Sequence, residues 1–594
     1  MTQPAQALAL TLQVRFSLAC TGLLCALPFL QPWHRNPLPS FYSEWLAAAL
    51  GLGVLGLLFE RRHWQDHGVP WIALAPCALA LWLVVHGVLG WSPYSGQALT
   101  GALYLLWAGT LMVAGHMLLR VCGADMVYRT IALGLAAGAL CSAFIGIVQH
   151  WNLVTPLNML ITRPTGQVIF GNLAQPNHYA SQVTLGLLSL AYLHGNGRIT
   201  TGAAVACTVP LLFVLGLSGS RSVWLYLLAA FVLAAWLRAG TRRQAGQPAG
   251  RRLFFATGSF VILYYAMQLM VDAGWLPPSP RQAVTAVERL FSDVASITER
   301  FSLWRAAAAM ALSSPVAGIG WGEFPARYFE IMTAPGVTGS FGLYHHAHNL
   351  VLQLLAETGM IGAALALLPA LAWLRRVLAG GHHADQWWLL AMAAVLGMHS
   401  LLEFPLWYAY FLGPAALLAG AVPARTFMPG LARFGPLLTL GLVLAGAVNL
   451  ATLWADYRVF ERVFFNVRQE PPPENDMAQV MIRLHRNPLL TPYVELASAL
   501  ALTADAEELG QRLFLTERAL RFAPLATLVY REVLLLALAD RPREAQALLA
   551  RARRAYPAVP PEFRRDRARL AQQYPERMRP LLESGLRDAD RTVR

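Results

Sequence analysis

The stretch HHAHNLVLQLLAETGMIGAALALLPALA, residues 345–372, sets three histidines directly before a long apolar run. From Leu350 to the end of the stretch, the only charged residue is Glu357. A transmembrane helix needs about 20 consecutive, mostly apolar residues, and this run is long enough. The stretch therefore predicts a membrane-spanning helix with titratable side chains at its amino-terminal end.

The composition of the whole chain supports a polytopic membrane protein. Of its 594 residues, 56% are hydrophobic and 13% are charged, whereas about 25% of residues are charged in soluble domains. Of the 32 acidic residues, 19 follow residue 454, so the first part of the chain is not an ordinary soluble domain. We predict about thirteen spans, at residues 13–31, 44–60, 69–90, 98–118, 128–148, 179–195, 200–217, 222–238, 253–271, 348–372, 386–402, 407–424 and 434–454.

Arginines predict the orientation of these spans. The net charge is +14, and every cationic side chain is an arginine. Most of those in the membrane part lie in loops on one side, as in RAGTRRQAGQPAGRR, residues 238–252, and basic loops mark the cytoplasmic side. This distribution explains the positive charge without a nucleic-acid partner. It predicts that the opposite, periplasmic face carries the loops 149–178 and 272–347 and, because the span count is odd, the remainder 455–594.

The predicted fold class is therefore all-α, with four segments. Residues 1–271 form amino-terminal spans with the outer-face loop 149–178, and residues 348–454 form carboxy-terminal spans. Residues 272–347 form a long structured periplasmic loop, in which two sets of apolar residues follow helical spacing; its helices could lie on the membrane or pack on the spans. Residues 455–594 form a periplasmic helical domain, either tetratricopeptide-like or a generic bundle. The two spaced sets are Val284, Val287, Phe291, Val294, Ile297 and Phe301, Trp304, Ala308, Leu312.

Metal chemistry is not expected. The six cysteines lie in or beside apolar runs without a CxxC pair, so neither a disulfide framework nor a cysteine metal site is predicted. The HHAH sequence at 345–348 lacks the i, i+4 spacing of a helical histidine pair and has no carboxylate beside it. We predict no metal and no cofactor.

Polar residues concentrate in the outer-face loop RPTGQVIFGNLAQPNHYA, residues 163–180. It carries Arg163, Asn172, Gln175, Asn177 and His178 directly before a span. The simplest interpretation is a turn-rich connector in which Asn177 caps the next helix. Capping does not account for so many donors in one place, and the loop therefore favours a binding or catalytic site.

Outer-face arginines predict an anion site. Arg221, in LSGSRSVWL, lies where a span meets the outer face, and Arg300 and Arg305 lie in the long loop. A lone arginine there commonly extends to the lipid headgroups. Because outer-face arginines are otherwise scarce in the membrane part, we favour phosphate binding, for which the guanidinium fork is suited.

The histidines and Glu357 of the opening stretch have different expected roles. On a helix that starts near His348, Glu357 lies half a turn out of phase and about 13.5 Å deeper, so the two cannot form a dyad. His348 at the interface is a candidate general base, although an interfacial histidine could also only bond the backbone. Glu357 is expected to be a packing residue inside the bundle.

A second polar turn follows His399 in HSLLEFPLWYAYF, residues 399–411. His399 and Glu403 lie one helical turn apart, and Tyr408 opens the next span. The aromatic residues could form an interfacial belt. The combination of glutamate, proline and tyrosine at one turn is more specific than a belt requires.

Five motifs together resemble one family. FGNLAQPNHYA, SGSRSVWL, RFSLWRAAAAMALSSPVAGIGWGEF, HAHNLVLQLLAETG and EFPLWYAYF occur in this order. They are similar to the bacterial O-oligosaccharyltransferases of the pilin-glycosylation-ligase type, within the superfamily of O-antigen ligases and polymerases. The resemblance covers roughly residues 10–590.

The resemblance implies a metal-independent glycosyltransferase of the bacterial inner membrane with its active site facing the periplasm. Such enzymes transfer a preassembled glycan from undecaprenyl pyrophosphate to Ser or Thr of a protein such as a pilin. Catalytic roles are implied for His348, Gln175 and Tyr408. Donor pyrophosphate binding is expected at Arg221, Arg300, Arg305 and Arg163, and supporting roles at Asn172, Asn177, His178, Asn349 and Glu403.

Three other functions remain open from the sequence. An O-antigen ligase would use the same donor and a lipid A-core acceptor, and an O-antigen polymerase would join repeat units. The charged carboxy-terminal region favours a protein acceptor only weakly. A polytopic transporter is a more distant alternative, since it would show inverted repeats and mid-membrane polar sites.

Overall fold

A computed structural model describes residues 10–164, 166–241, 248–277, 279–280, 294–337, 342–427, 430, 433–466 and 474–583. Over these residues the chain is helical, apart from two short antiparallel strands, β1 (Val69–Pro70) and β2 (Thr426–Phe427). The all-α class is therefore confirmed. The predicted periodicity through Val284, Val287 and Phe291 lies outside the described residues.

The helices of the membrane part are α1 (Leu12–Leu24), α2 (Phe41–Val54), α3 (Arg61–Asp66), α4 (Leu74–Val88), α5 (Ser95–Cys122), α6 (Ala124–His150), α7 (Pro176–Gly195), α8 (Thr201–Leu217), α9 (Ser222–Thr241), α10 (Pro248–Asp272), α11 (Val294–Ser313), α12 (Phe324–Met332), α13 (Leu350–Ala379), α14 (Ala384–Ser400), α15 (Ala409–Gly420) and α16 (Gly435–Asn466). The carboxy-terminal helices are α17 (Glu474–His485), α18 (Thr491–Ala501), α19 (Leu509–Phe522), α20 (Ala526–Leu538), α21 (Pro542–Ala555), α22 (Pro561–Gln573) and α23 (Pro575–Glu583). Short 3-10 turns occur at Leu27–Leu30, Leu55–Phe59, Trp71–Ala73, Asn158–Leu160 and Pro405–Trp407.

The chain is a multi-pass membrane protein. In the described part, nine helical segments are long and apolar enough to cross a membrane, and every predicted span coincides with a helix. The remaining four spans correspond to α7, α8, α14 and α15, of which α8 and α15 are apolar but short. The count of thirteen therefore stays a prediction. The nine segments are Leu12–Leu30, Phe41–Phe59, Trp71–Val88, Ser95–Cys122, Ala124–His150, Ser222–Gly240, Ala249–Asp272, Leu350–Ala379 and Gly435–Val463.

The helices separate into two compact units. Unit 1 comprises residues 1–78, 104–298 and 365–454, and unit 2 comprises residues 79–103, 299–364 and 455–594. Both units are assembled from distant parts of the sequence. The predicted segment boundaries at 271, 347 and 454 stay predictions.

Helix α7 lies in the core of unit 1. Seventeen of its twenty residues are buried, because α6, α8, α9, α10 and α14 pack around it. Its serines, threonine and glutamine face protein rather than lipid, which explains why α7 is less hydrophobic than the spans at its sides. The loop that precedes α7 is thereby attached to a rigid element.

Helix α11 is confirmed as a helix, but it packs through a different face from the expected one. Its buried residues are Leu303, Ala306, Ala307 and Met310, whereas Phe301 is 57% exposed and Leu312 is 81% exposed. Buried and exposed apolar residues both recur with helical spacing here. Spacing alone therefore did not identify the packed face.

The carboxy-terminal helices of unit 2 pack in sequence order, as α18 on α19, α19 on α20 and α20 on α21. Helix α20 is their core, since every residue from Leu528 to Leu538 is buried. This arrangement confirms a helical region after α16. Its tetratricopeptide identity stays a prediction.

A buried carboxylate connects helices α18 and α19 with the segment before α5. Glu495 accepts hydrogen bonds from the Tyr94 hydroxyl, the Arg518 Nε–H and His485 Nε2, each at 2.8 Å. Burial raises the pKa of Glu495, but these hydrogen bonds outweigh burial and lower the pKa below its usual value. Glu495 therefore binds its partners as an anion.

Candidate active site

Helix α13 is broken at Gly359. The backbone there has φ +65° and ψ −168°, a conformation that favours glycine. A Cβ at this position would also meet the Val316 carbonyl oxygen at 2.2 Å. The break takes the flanking backbone groups out of the helical hydrogen-bond ladder, and they need other partners.

The SPVAGIGWG loop, residues 314–322, provides those partners. The N–H groups of Ile319 and Gly320 donate to the carbonyls of Ala356 and Glu357 at 2.9 and 3.1 Å. In the other direction, the Met360 N–H donates to the Pro315 carbonyl at 2.8 Å. The LAETG and SPVAGIGWG motifs are therefore two halves of one hydrogen-bonded unit.

The side chain of Glu357 holds the end of this loop. Its Oε1 accepts the N–H groups of Gly322 and Phe324 at 3.0 and 3.1 Å. Phe324 is the first residue of α12 and is fully buried. Glu357 is thus buried, as predicted, and it binds backbone amides 33 and 35 residues away.

His348 lies in a tight turn outside the helix. The sequence predicted a helix that starts near His348, but α13 starts at Leu350 and His348 has φ +52°. Asn349 caps the helix, since its Oδ1 accepts the Leu352 N–H at 3.1 Å. Gln353 reaches back, and its Oε1 accepts the Ala347 N–H at 2.7 Å. The turn is thereby fixed on both sides of His348.

The imidazole of His348 is oriented by its own turn and by an aromatic group. Its Nδ1 lies 3.1 Å from the His346 carbonyl oxygen. A carbonyl only accepts, so Nδ1 carries the proton in this bond and Nε2 is the basic nitrogen of the neutral ring. The Tyr344 ring meets the His348 ring edge-on at 5.7 Å, and the Tyr344 hydroxyl donates to Glu299 at 3.0 Å.

The two histidines that precede His348 in the turn have lowered pKa values. Burial, together with smaller contributions from charge repulsion by His345 and His348, lowers the pKa of His346 to about 3. Burial also lowers the pKa of His345. His346 therefore stays neutral near pH 7 and is not suited to take up a proton there.

In unit 1, Gln175 caps helix α7. Its Oε1 accepts the His178 N–H at 2.5 Å, and Pro176 occupies the first helical position. The cap is therefore Gln175 rather than the expected Asn177. Asn177 instead bridges two other segments, donating to Glu403 at 3.0 Å and accepting the Ser220 hydroxyl at 2.9 Å.

Tyr408 precedes helix α15 and lies against His178. The two rings meet edge-on at 4.8 Å, and the Tyr410 hydroxyl lies 3.3 Å from His178 Nδ1. Glu44, from α2, accepts the Ala409 N–H at 2.7 Å and the Tyr104 hydroxyl at 2.9 Å. Glu44 thus occupies the amino-terminal end of α15 and fixes the backbone next to Tyr408.

Asn172 has a structural role in this loop. It is 1% exposed, and its amide donates to the Leu30 and Leu160 carbonyls at 2.7 Å while its Oδ1 accepts the Thr162 N–H. Gln149 holds the same loop through bonds to Thr162, Phe170 and Gly171. Both N–H groups of the Asn172 amide and its oxygen are therefore engaged in holding the loop.

The predicted arginines lie on different elements. Arg221 is half-buried between α8 and α9, and Arg163 is exposed in the loop before α7. On α11, Arg300 is half-buried and Arg305 is exposed. Each of these four arginine residues is at least partly exposed.

The twelve predicted site residues are divided between the two units. Unit 1 brings Gln175, Asn177, His178, Glu403 and Tyr408 onto neighbouring segments, and it also contains Arg163, Asn172 and Arg221. Unit 2 contains His348, Asn349, Arg300 and Arg305.

Five residues that hold these segments were not predicted from the sequence: Glu44, Gln149, Gln353, Tyr344 and Glu299. A detectable signal existed for Glu44, which begins the predicted span 44–60 and is followed by an apolar run up to Glu60. The other four are ordinary in their sequence context. Among the described residues, no group of three His, Cys, Asp or Glu side chains could hold a metal ion.

Comparison with known proteins matches three families along the chain. The O-antigen ligase family matches residues 206–367, which include the broken helix and its loop. The protein glycosylation ligase family matches residues 169–194, which include Gln175 and α7. The carboxy-terminal region of a virulence factor membrane-bound polymerase matches residues 387–571.

Individual relatives point in the same direction. The general O-oligosaccharyltransferase of Acinetobacter baylyi is 26% identical over 451 residues, which is 75% of this chain and 76% of that protein. The ComP-specific O-oligosaccharyltransferase of the same organism is 23% identical over 315 residues, about half of either chain. The exopolysaccharide production protein ExoQ of Rhizobium meliloti is 25% identical over 296 residues, 48% of this chain and 63% of that protein.

These matches, on a multi-pass helical scaffold with the two interlocked motifs, define a membrane-bound enzyme of the glycosyltransferase class, a protein O-oligosaccharyltransferase. Over these residues the chain is similar to the protein glycosylation ligases and to the O-antigen ligases.

Proposed function

We propose that this enzyme transfers a preassembled glycan from undecaprenyl pyrophosphate to a Ser or Thr hydroxyl of a periplasmic protein such as a pilin. The observation that carries the proposal is the similarity to the general O-oligosaccharyltransferase, which extends over three quarters of both chains. The hydrogen bonds that fix the turn around His348 support a catalytic centre there.

In the proposed reaction, His348 acts as the general base. Its Nε2 takes the proton of the acceptor hydroxyl while the hydroxyl oxygen attacks the anomeric carbon of the donor glycan. The bond from that carbon to the pyrophosphate oxygen breaks, and undecaprenyl pyrophosphate leaves with the electron pair. A hydroxyl is a poor nucleophile, and a positioned base typically contributes about 100- to 10,000-fold in rate.

Arginines would stabilise the leaving group. Charge develops on the pyrophosphate as the glycosidic bond breaks, and guanidinium groups can neutralise it through paired hydrogen bonds. Arg221, Arg300, Arg305 and Arg163 are the proposed donor ligands. Their partial exposure leaves them accessible to a lipid-linked anion.

Gln175 and Tyr408 are proposed to complete the catalytic group. Gln175 lies at the amino-terminal end of α7, where the helix dipole favours a negative charge. The Tyr408 ring is held by its contact with His178 and by the Glu44 bond to the next residue. Supporting roles are proposed for Asn177, Glu403 and His178, which connect these segments, and for Asn349, which caps the helix after His348.

The direct experiment supplies purified enzyme in detergent or nanodiscs with lipid-linked glycan and a chelator. Pilin and lipid A-core are offered in separate reactions, and intact mass is measured. Addition of the whole glycan to a Ser or Thr of pilin is the expected result. Transfer only to lipid A-core would assign the enzyme to the O-antigen ligases instead, and glycan chain growth without either acceptor would assign it to the polymerases.

The proposed location is the bacterial inner membrane with the site facing the periplasm. The arginine distribution supports this orientation. Alkaline phosphatase and green fluorescent protein fusions after residues 245, 320 and 520 test it. A cytoplasmic signal at 245 and periplasmic signals at 320 and 520 are expected, and a cytoplasmic signal at 520 would contradict the odd number of spans.

A further inference from the structure

The loop between α6 and α7 exposes an unusual group of large apolar side chains. Its tip, residues 153–160, includes five of them: Leu153 (48% exposed), Val154 (87%), Leu157 (47%), Met159 (88%) and Leu160 (54%). A water-exposed loop normally carries polar residues, and a contiguous apolar patch marks a contact surface. We call these five residues the apolar tip.

The segment that carries the apolar tip is held by hydrogen bonds between its own residues. The Thr155 N–H and hydroxyl both donate to Asn158 Oδ1, at 3.1 and 3.3 Å. The Leu157 N–H donates to the Thr155 hydroxyl oxygen, and the Leu160 N–H donates to the Leu157 carbonyl at 2.8 Å. Each of these bonds lowers the free-energy cost of moving the segment from water into the membrane interface, because a polar group that leaves water unpaired is costly.

The base of this loop is fixed to the outer ends of two spans. Ile161 is buried against Ile145 and Val148 of α6. On the other side, the Trp151 indole donates to the Pro277 carbonyl and the Ser279 hydroxyl donates to the His150 carbonyl at 2.6 Å. The loop therefore projects from the point where α6 and α10 end.

The two helices from whose ends the loop projects also expose large apolar side chains. Phe144 on α6 is 48% exposed, Leu269 on α10 is 49% exposed, and Trp275, just after α10, is 76% exposed. In a multi-pass membrane protein such side chains face lipid, and tryptophan is typical of the membrane–water boundary. The position of the tip beside this surface identifies its occupant as lipid rather than protein.

We propose that residues 153–160 insert into the adjacent lipid leaflet and contact phospholipid acyl chains. The loop then works as an interfacial anchor for the segment that leads to Gln175. This proposal concerns the membrane surface and does not depend on the transfer reaction.

Photo-crosslinking tests the proposal in the full chain with its native cysteines. Benzoylphenylalanine replaces Val154 or Met159, and, as the matched control, Phe514, which is 62% exposed on the charged helix α19. Each protein is irradiated in phospholipid nanodiscs and its intact mass is measured. A mass increase of one phospholipid is expected at 154 and 159, several-fold more abundant than at 514.

Two results would overturn the proposal. Lipid adducts no more abundant at 154 and 159 than at 514 would mean that the tip lies in water. A crosslink to a second protein chain in place of lipid would assign the surface to a protein partner. If a benzophenone variant does not fold, Val154→Cys and Met159→Cys with an environment-sensitive dye give the same distinction through quenching by nitroxide-labelled acyl chains, with Phe514→Cys as the control.

Discussion

Replacing Glu357 with alanine should release the loop that leads into α12. The Glu357 carboxylate accepts the N–H groups of Gly322 and Phe324, and Phe324 is fully buried. Leaving a buried donor unpaired costs about 1–3 kcal/mol, so the two together cost about 2–6 kcal/mol. Because 1.4 kcal/mol is about tenfold in an equilibrium constant, the lower limit corresponds to about 30-fold more frequent local opening.

Hydrogen exchange measured by mass spectrometry tests this prediction. Peptides that cover residues 318–326 should exchange at least about 30-fold faster in Glu357→Ala than in the wild type. Glu357→Gln keeps a carbonyl oxygen at the same place and should exchange nearly as the wild type does. Thr358→Val is the matched control, because the Thr358 hydroxyl donates to the Leu354 carbonyl of its own helix rather than to the loop. Unchanged exchange in Glu357→Ala would refute the role of this carboxylate.

Three further predictions follow from other contacts. The pKa of Glu495 is lowered in the folded chain, so its stabilising bonds should be present above the unfolded pKa of 4.5 and be lost as the pH falls through the lower folded pKa. The melting temperature should therefore fall in this acid range, and Glu495→Gln should remove that decrease. If the decrease persists in Glu495→Gln, another group causes it. Replacing Arg221, Arg300 or Arg305 with glutamine should raise the donor concentration needed for half-maximal transfer, and wild-type titrations for all three variants would make these residues structural. Glu44→Leu leaves two donors unpaired, at about 1–3 kcal/mol each, and should lose transfer, while Glu44→Gln keeps it; equal rates for the two variants would contradict a positioning role.

The spans could be predicted from the lengths of the apolar runs, because each run by itself shows whether it is long enough to cross a membrane. Helices formed at all thirteen predicted positions. What hydropathy could not provide was the environment of each helix. Helix α7 is enclosed by five other helices, so its polar residues need no water, and its composition alone does not reveal this.

The first residues of helices α7 and α13 depend on which of several neighbouring residues caps each helix. Asn177 is a more common cap than Gln175, but Pro176 favours the first helical position and therefore moves the cap to the residue before it. The left-handed turn at His348 similarly delays the helix to Leu350. Sequence periodicity has an uncertainty of a few residues at helix ends, and both differences lie within it.

The partners of the buried acids could not have been predicted. The amides bound by Glu357 lie 33 and 35 residues before it, and the amide bound by Glu44 lies 365 residues after it. A single sequence identifies such residues as charged groups in apolar runs, which suggests a role. Which backbone groups they meet depends on tertiary packing.

The most direct test of the central claim is the transfer rate of His348→Ala measured by intact mass of the acceptor protein. His345→Ala serves as the matched control, since it changes another histidine, three residues away, to which no catalytic role is assigned. The variant should remain folded and inserted, and His348→Ala should transfer glycan about 100- to 10,000-fold more slowly than the wild type, with His345→Ala close to the wild type. Transfer by His348→Ala at the wild-type rate would contradict the assignment of His348 as the base.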